Sequence, residues 1–530
     1  MEKLAGRVML SWGAGRAAIA FLAGATGALA MQPFGFFAAF FVSFTVLVWL
    51  LDGAPGNPDR GFLGRLWPSF VIGWLFGFGY FVAGLWWLAK ALLVDGTQYL
   101  WALPFALFGL QAYLALFFGL AAAVARAFWS EGMGRIFALA VAFGLAEWLR
   151  SFVLTGFPWN AVGYGIMPFP LMMQSVHLVG LYGMNVLAVF IFASPALIGT
   201  KRGMIPGLAL AVLLFAGHLG FGAYRLAQPI AETTEKSTTI RLVQPQVPVS
   251  GEVDDAARAQ IFDQHMAMSA QTPEDGKTRP DMIVWPETAI PFILSENQDA
   301  YGRIGDMLQD GQILISGAVR EETMTAGQEP RYYNSIYVFD DKGQVIGAAD
   351  KVHLVPFGEF LPFGKLFERL GVNAIAAMPG GFSAGASHAV LSPPGKPSLY
   401  PLICYEAIFP DEITSDGGAA DVLLNVTNDT WFGNSPGPYQ HFHQAQIRAV
   451  EVGKPLIRSA NSGISAVVNQ KGEIVAGFAL SISGVFDTTI PSKTVPIVDS
   501  SQRKMNFWLI LALGFAIAFF SRVSFIFNKN

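Results

Sequence analysis

Cys404 is the only cysteine in 530 residues, and it lies in LICYEAIF, 402 to 409, between an apolar run and a carboxylate. A thiol has an unperturbed pKa of about 8.5, so at neutral pH it needs a base or a nearby cation to attack a carbonyl. Groups of both kinds stand at comparable places. Glu287 closes IVWPE, Lys351 follows VIGAAD, Glu359 lies eight residues further on in KVHLVPFGEF, and Glu406 is two beyond the cysteine. A carboxylate in an apolar setting has a raised pKa suited to general-base work. A lysine beside it stabilises both a thiolate and the oxyanion of a tetrahedral intermediate. Taken singly, each Glu or Lys reads as a solvated strand terminus, and a buried free Cys as a small hydrophobe. Together, with Trp285-Pro286 and Pro356-Phe357-Gly358 fixing the backbone, they point to nucleophilic acyl chemistry.

These residues need elements to hold them. Between 226 and 500, short β-branched runs alternate with helical stretches: TIRLVQ 239–244, MIVWPE 282–287, ILISGAV 313–319, SIYVF 335–339, LYPLICYE 399–406, DVLLNVTN 421–428 and SAVVNQ 465–470. Helices are expected at 254–271, 298–309 and 438–452. Apolar strands bounded by turns predict a sheet buried on both faces in an α/β layered domain. Cys404 would then stand at the carboxyl end of a strand, where open α/β sheets place reacting groups.

The rest of the chain has another solvent in view. Hydrophobic residues make up 53% and charged residues 14%, too apolar for an ordinary soluble protein. Runs able to span a bilayer core of about 30 Å lie near 10–30, 32–51, 68–89, 99–125, 136–155, 176–199, 204–224 and 506–521. The expected organisation is a seven-helix membrane domain at 1–225, an extracytoplasmic catalytic domain at 226–500 opening with a polar linker to 238, and an eighth span with a short cytoplasmic tail at 501–530. Placing the N-terminus inside puts eleven cations, from Lys3 and Arg7 to Arg522 and Lys529, on the cytoplasmic side, against Lys90, Arg150, Arg225, Arg503 and Lys504 opposite. The first run lacks a small-x-small cleavage site and is read as a span rather than a signal peptide.

Other classes find little support. The net charge of −4 without a basic run argues against nucleic acid, one cysteine excludes an internal disulfide, and no phosphate loop appears. His441-x-His443 without further ligands is a weak metal signal. A channel would carry ionisable groups deep in several spans, whereas only Glu147, Arg150, His177 and His218 qualify.

WPETAIP 285–291, DKVHLVPFGEFLPF 350–363 and ICYEAIFP 403–410 resemble the Glu, Lys and Cys motifs of the nitrilase superfamily. With AEWLRSFVLTGFPWNAVGY 146–164 and the stretch 428–474, nearly the whole chain resembles the bacterial apolipoprotein N-acyltransferase family. That resemblance implies an α-β-β-α sandwich joined to about eight spans, with Glu287 as base, Lys351 as oxyanion stabiliser and Cys404 as nucleophile. It further implies that Glu359 and Glu406 position these three and that Tyr405 and Trp431 belong to the site. The implied reaction moves an acyl chain from a phospholipid, through a Cys404 thioester, to the α-amine of an S-diacylglyceryl cysteine on an apolipoprotein, without cofactor or metal. A monomer in the bacterial inner membrane, catalytic domain on the periplasmic side, is expected. A membrane-tethered nitrilase-type amidase would use the same three residues and is the alternative. The segment 354–382 is a candidate lid touching lipid. One departure is Val253, where the family commonly has Trp.

Overall fold

The computed structural model describes all residues except 1, 58, 95–98, 201–202, 231–236, 249–253, 274–278, 325–328, 363, 365–380, 414–418, 492–496 and 528–530. Val253 and most of the second half of the candidate lid therefore lie outside the described residues. The chain divides into two compact units, Met1–Pro229 with Ile497–Asn530, and Ile230–Pro496.

The first unit is helical: α1 (Glu2–Met9), α2 (Gly13–Gly27), α3 (Ala39–Asp52), α4 (Gly61–Leu85), α5 (Leu110–Ala127), α6 (Met133–Arg150), α7 (Pro170–Met173), α8 (Val176–Ala193), α9 (Met204–Ala227) and, from the C-terminal part, the helix Ser500–Phe527. Among the described residues six helical stretches are long and apolar enough to cross a membrane. All eight apolar runs of the sequence are at least partly helical, but two fall outside those six. The run at 32–51 becomes a helix only from Ala39, because Pro33 and Gly35 hold the preceding residues in turns. The run at 136–155 is α6, which carries Arg135, Glu147 and Arg150. Glu147 and Arg150 are buried and satisfied within the protein: Arg150 Nε donates to Glu147 at 2.9 Å, and Arg150 Nη1 donates to the Trp159 carbonyl at 3.0 Å. Small residues let backbones meet elsewhere, since a Cβ at Gly24 would fall 1.8 Å from the Phe76 carbonyl oxygen of α4.

The second unit holds two sheets, as the family resemblance implied, whereas the alternation of runs by itself suggested one. The strands are β1 (Thr239–Gln244), β2 (Met282–Val284), β3 (Ile313–Glu322), β4 (Arg331–Phe339), β5 (Val345–Asp350), β6 (Leu399–Ile403), β7 (Val422–Asn428), β8 (Leu456–Asn461), β9 (Ala466–Val468), β10 (Ile474–Gly477) and β11 (Gly484–Thr489). One sheet runs β11-β1-β2-β3-β4-β5 and the other β10-β9-β8-β7-β6. In the first sheet the parallel strands β1-β2-β3 lie at the centre with antiparallel pairs on both flanks; in the second the parallel strands β6-β7-β8 form one side, ending at the edge strand β6, and the antiparallel pairs β8-β9 and β9-β10 form the other. Helices α10 (Asp255–Ser269) and α11 (Gln298–Met307) cover the first sheet, burying Phe262 and Ile304 against Ile283, Leu314 and Phe339. Helix α12 (Pro436–Val452) covers the second, burying Phe442, Ala445 and Ala449 against Leu402, Leu423 and Leu456. The inner faces are stitched by Ser459 Oγ, which lies 3.3 Å from the Val243 oxygen, and by Ser465 N, which donates to Gln244 Oε1 at 3.0 Å. The result is an α-β-β-α sandwich. The last membrane-unit helix, Ser500–Phe527, is α13.

Candidate active site

Three chain segments deliver the chemistry. After β2 the chain turns at Trp285-Pro286, and Trp285 Nε1 fixes the turn by donating to Ser269 Oγ at 2.7 Å. Glu287 follows, lying flat on β3 because residue 317 is glycine: a Cβ there would come within 2.6 Å of the Glu287 Cα. β5 ends at Asp350, and the next residue, Lys351, is held by its N–H donating to the Asn334 carbonyl at 2.8 Å. β6 ends at Ile403, one residue before the cysteine, so the expected strand through Glu406 instead breaks into a 3-10 turn, Cys404–Ile408. Cys404 itself takes φ +56°. A side chain tolerates that left-handed region at a cost of about 1–3 kcal/mol, which the surroundings must offset.

Lys351, buried to 1% exposure, sits between carboxylates: Nζ is 2.9 Å from Glu359 Oε1 and 3.5 Å from Glu287 Oε1. Asn334 Nδ2 donates to both acids, at 2.7 Å to Glu287 and 2.9 Å to Glu359, and so bridges two like charges and eases their repulsion. The other Glu287 oxygen accepts from Asn428 N at 2.8 Å, and the other Glu359 oxygen from Val355 N at 2.8 Å. Glu287, Lys351 and Thr427 all act on the Cys404 thiol, and the thiol in turn acts on Glu287. Burial pushes the Glu287 carboxyl up; Lys351 opposes this and Glu359 reinforces it. Burial also pushes the thiol up, with Glu287 adding and Lys351 subtracting, so the resting sulfur carries its proton. Burial would strip the proton from Lys351, but Glu359 and Glu287 outweigh it and hold the ammonium charged. The set therefore contains a base within reach of a protonated nucleophile and a fixed cation beside both.

The supporting residues resolve into distinct jobs. Glu406 is an anchor: Oε1 accepts from Val352 N at 2.8 Å and His353 N at 2.9 Å, and Oε2 accepts from Ile403 N at 2.6 Å. One carboxylate thus ties the Lys351 segment to the residue before Cys404. Tyr405 donates its hydroxyl to the Leu354 carbonyl, and its ring lies 5.6 Å from Lys351 Nζ. Trp431 is half-buried on the turn Asp429–Phe432, and no hydrogen bond or ion pair among the described residues joins its side chain to Glu287, Lys351 or Cys404.

Beneath the cysteine lies a network that sequence reasoning missed. His441 Nε2 is 3.2 Å from the Cys404 carbonyl oxygen, and Asn425 Nδ2 donates to the same oxygen at 3.1 Å. Asp429 orients His441 through Nδ1 at 2.8 Å, Arg458 holds the other Asp429 oxygen at 2.7 Å, and Arg458 also contacts Asn425. Asp429, His441 and Arg458 have no exposed side-chain surface. Both donors on the strained residue's carbonyl are thus set, directly or through Asp429, by one guanidinium. His441, read from the sequence as half of a weak metal pair, serves the nucleophile's turn.

Residues 239–496, the sandwich that carries Glu287, Lys351 and Cys404, match the carbon-nitrogen hydrolase family. Residues 23–194 match the apolipoprotein N-acyltransferase N-terminal domain. Over the full length of both chains, this one is 58% identical to an apolipoprotein N-acyltransferase of Rhizobium rhizogenes, 60% to one of Rhizobium leguminosarum and 56% to one of Agrobacterium fabrum. The chain belongs to the apolipoprotein N-acyltransferase family. Among solved structures it is similar to an amidase from Nesterenkonia sp., at 17% identity over 52% of this chain and 99% of that one, with a TM-score of 0.35.

Proposed function

We propose that this protein transfers a fatty acyl chain from a phospholipid to the α-amine of an S-diacylglyceryl cysteine at the N-terminus of an apolipoprotein, with Cys404 as the acyl carrier. The observation that carries the reading is the convergence of Glu287, Lys351 and Cys404 from three segments, in a chain that also holds helices able to cross a membrane.

In the first half, Glu287 takes the thiol proton and the sulfur attacks the ester carbonyl of the phospholipid. The Lys351 ammonium balances the oxyanion. Collapse breaks the C–O bond, the departing lysophospholipid oxygen receives the proton from Glu287, and a thioester remains. In the second half, the acceptor amine attacks the thioester carbonyl and gives a proton to Glu287. The C–S bond breaks, an amide forms, and the sulfur recovers that proton. Glu359 and Asn334 keep Lys351 and Glu287 in register throughout, while Glu406 and Tyr405 fix the segments carrying Lys351 and Cys404. Holding both lipid substrates in one membrane removes much of the entropic cost of encounter. The chain acts as a monomer in the bacterial inner membrane, and the cation bias of its helix ends supports placing the α/β unit on the periplasmic side.

Intact-protein mass spectrometry of the purified chain with phospholipid and no acceptor tests this. Wild type gains a hydroxylamine-labile acyl adduct, Cys404→Ser gains none, and a diacylglyceryl-cysteine peptide discharges it. Discharge to water alone would replace transferase with hydrolase.

A further inference from the structure

The helical unit contains a cavity of about 500 Å³ where the C-terminal ends of α3, α5 and α13 meet the start of α6. The reaction above makes no use of it. Arg126, Arg135 and Arg522 all line it. Arg135 is neutralised, its Nη1 lying 3.0 Å from Asp52, which also accepts from Trp129 Nε1 at 2.9 Å. Arg126 and Arg522 are in a different position. Their hydrogen bonds go to backbone carbonyls, Leu51 at 3.5 Å and Trp129 at 2.8 Å, and among the described residues neither has an ion-pair partner. Three guanidiniums share one largely buried carboxylate, Asp52, and Arg126 and Arg522 repel each other across the cavity, so a further anion between them is favoured; the planar fork of each suits phosphate oxygens. A further donor, the buried Ser130 hydroxyl, also lines the cavity with no partner among the described residues. The opposing carboxylates are Asp52, which pairs with Arg135 and also attracts Arg126 from beyond ion-pair distance, and the exposed Glu131.

The position says which phosphate. The cavity opens at the cation-bearing end of the bundle: Arg16, from α2, donates to the Gly53 carbonyl just past α3. One wall is the last turn of α13, where Phe525 is half-buried and Ile526 is 47% exposed. An anion held by arginines against an apolar helix end that reaches the membrane surface is a lipid headgroup with its chains alongside. We propose that this cavity binds the phosphate of an anionic phospholipid, with Arg126, Arg522 and Ser130 as donors and Phe525 and Ile526 flanking the chains. The site is independent of the catalytic assignment.

Native mass spectrometry of the full chain tests it, using micelles containing phosphatidylglycerol or, as the zwitterionic reference, phosphatidylcholine. Wild type retains one phosphatidylglycerol. R126Q/R522Q binds it at least about ten-fold more weakly, since each lost charge-assisted contact alone is worth about that factor. Glu131→Gln, an exposed change that leaves the fold intact, binds it more tightly because a repelling charge is gone. Equal retention in wild type and R126Q/R522Q overturns the proposal, as does unchanged affinity in E131Q. If the double variant does not fold, the E131Q result decides. Inorganic phosphate is the separating arm: if it binds in the arginine-dependent manner while phosphatidylglycerol is not retained, the lipid assignment fails and a soluble anion takes its place.

Discussion

Glu406→Gln separates the geometry of the nucleophile's turn from its mere folding. The wild-type carboxylate accepts three backbone N–H groups, two on Oε1 and one on Oε2. The amide keeps one acceptor oxygen, best left facing the Val352 and His353 pair, and turns its NH2 toward the Ile403 N–H. One hydrogen bond to a charged group is lost and a buried donor faces a donor. The cost is about 1.5–3 kcal/mol. It falls on the residue before Cys404, whose φ of +56° needs its neighbours to hold it. If that cost is borne in reaching the reactive arrangement, thioester formation slows by roughly 10- to 100-fold. The apparent Tm falls by roughly 3–12 °C in a unit of this size. The assay is rapid-quench mass spectrometry of the acyl adduct, with iodoacetamide alkylation of Cys404 as a substrate-free measure of thiol positioning. A variant with lowered Tm but acylation and alkylation within two-fold of wild type would refute the reasoning, since Glu406 would then stabilise the fold without setting the nucleophile.

Two further outcomes follow from the charges around the sulfur. Glu287 must be ionised to accept the thiol proton, and its pKa is raised, chiefly by burial with Glu359 adding to it, so activity is lost on acidification at a higher pH than for an ordinary carboxylate. Glu359→Gln removes one negative charge and should move that acid limb to lower pH; an unmoved limb in a pre-steady-state pH profile would assign it to another group. Asp429→Asn leaves Arg458 buried without its counter-ion, a loss of about 3–5 kcal/mol, and should slow Cys404 alkylation in whatever fraction folds. Arg458 and His441 hold the Asp429 carboxyl down to about 2 against burial, so in wild type this stabilisation is present above the ordinary Asp range and lost only as pH falls through about 2. Denaturant melts from pH 5 to pH 2 in wild type and D429N measure the difference, and coincident curves would show that the pair adds nothing.

What the sequence made legible follows from where the information is stored. Membrane runs and the main strands are local patterns of apolar residues, and they stand out along the chain. Glu287, Lys351 and Cys404 each end or follow such a run, so type and local context were enough to single them out. Asn334 gave no such signal. It is one polar residue inside the strand β4, and only the two side chains that reach it from segments beyond β2 and β5 show that it bridges carboxylates. Asp429, His441 and Arg458 come from a turn, a helix and a strand, and their meaning lies entirely in a buried convergence. The second sheet came from the family resemblance, which implied the α-β-β-α sandwich, and not from the pattern of runs, for a related reason. Its central strands read like those of the first, and nothing local says which strands pair. Glu406 was marked as a supporting residue, yet its hold on two separate segments is a property of distance in space.

The backbone at Glu359 has a consequence for how such a protein can vary. Glu359 N donates to the Val355 carbonyl at 2.8 Å, and its own carbonyl accepts from Phe382 N at 2.8 Å, so the chain leaves and re-enters at one residue of the site. Gly385 N then closes back on the Lys351 carbonyl at 2.7 Å. These bonds are made by main-chain atoms, so a change of the Glu359 side chain removes the contact to Lys351 and leaves the backbone closure in place. Glu359 thus acts as a hem: its backbone gathers two separate stretches of chain, and its carboxylate is the part of it that variation in the acyl chemistry would touch.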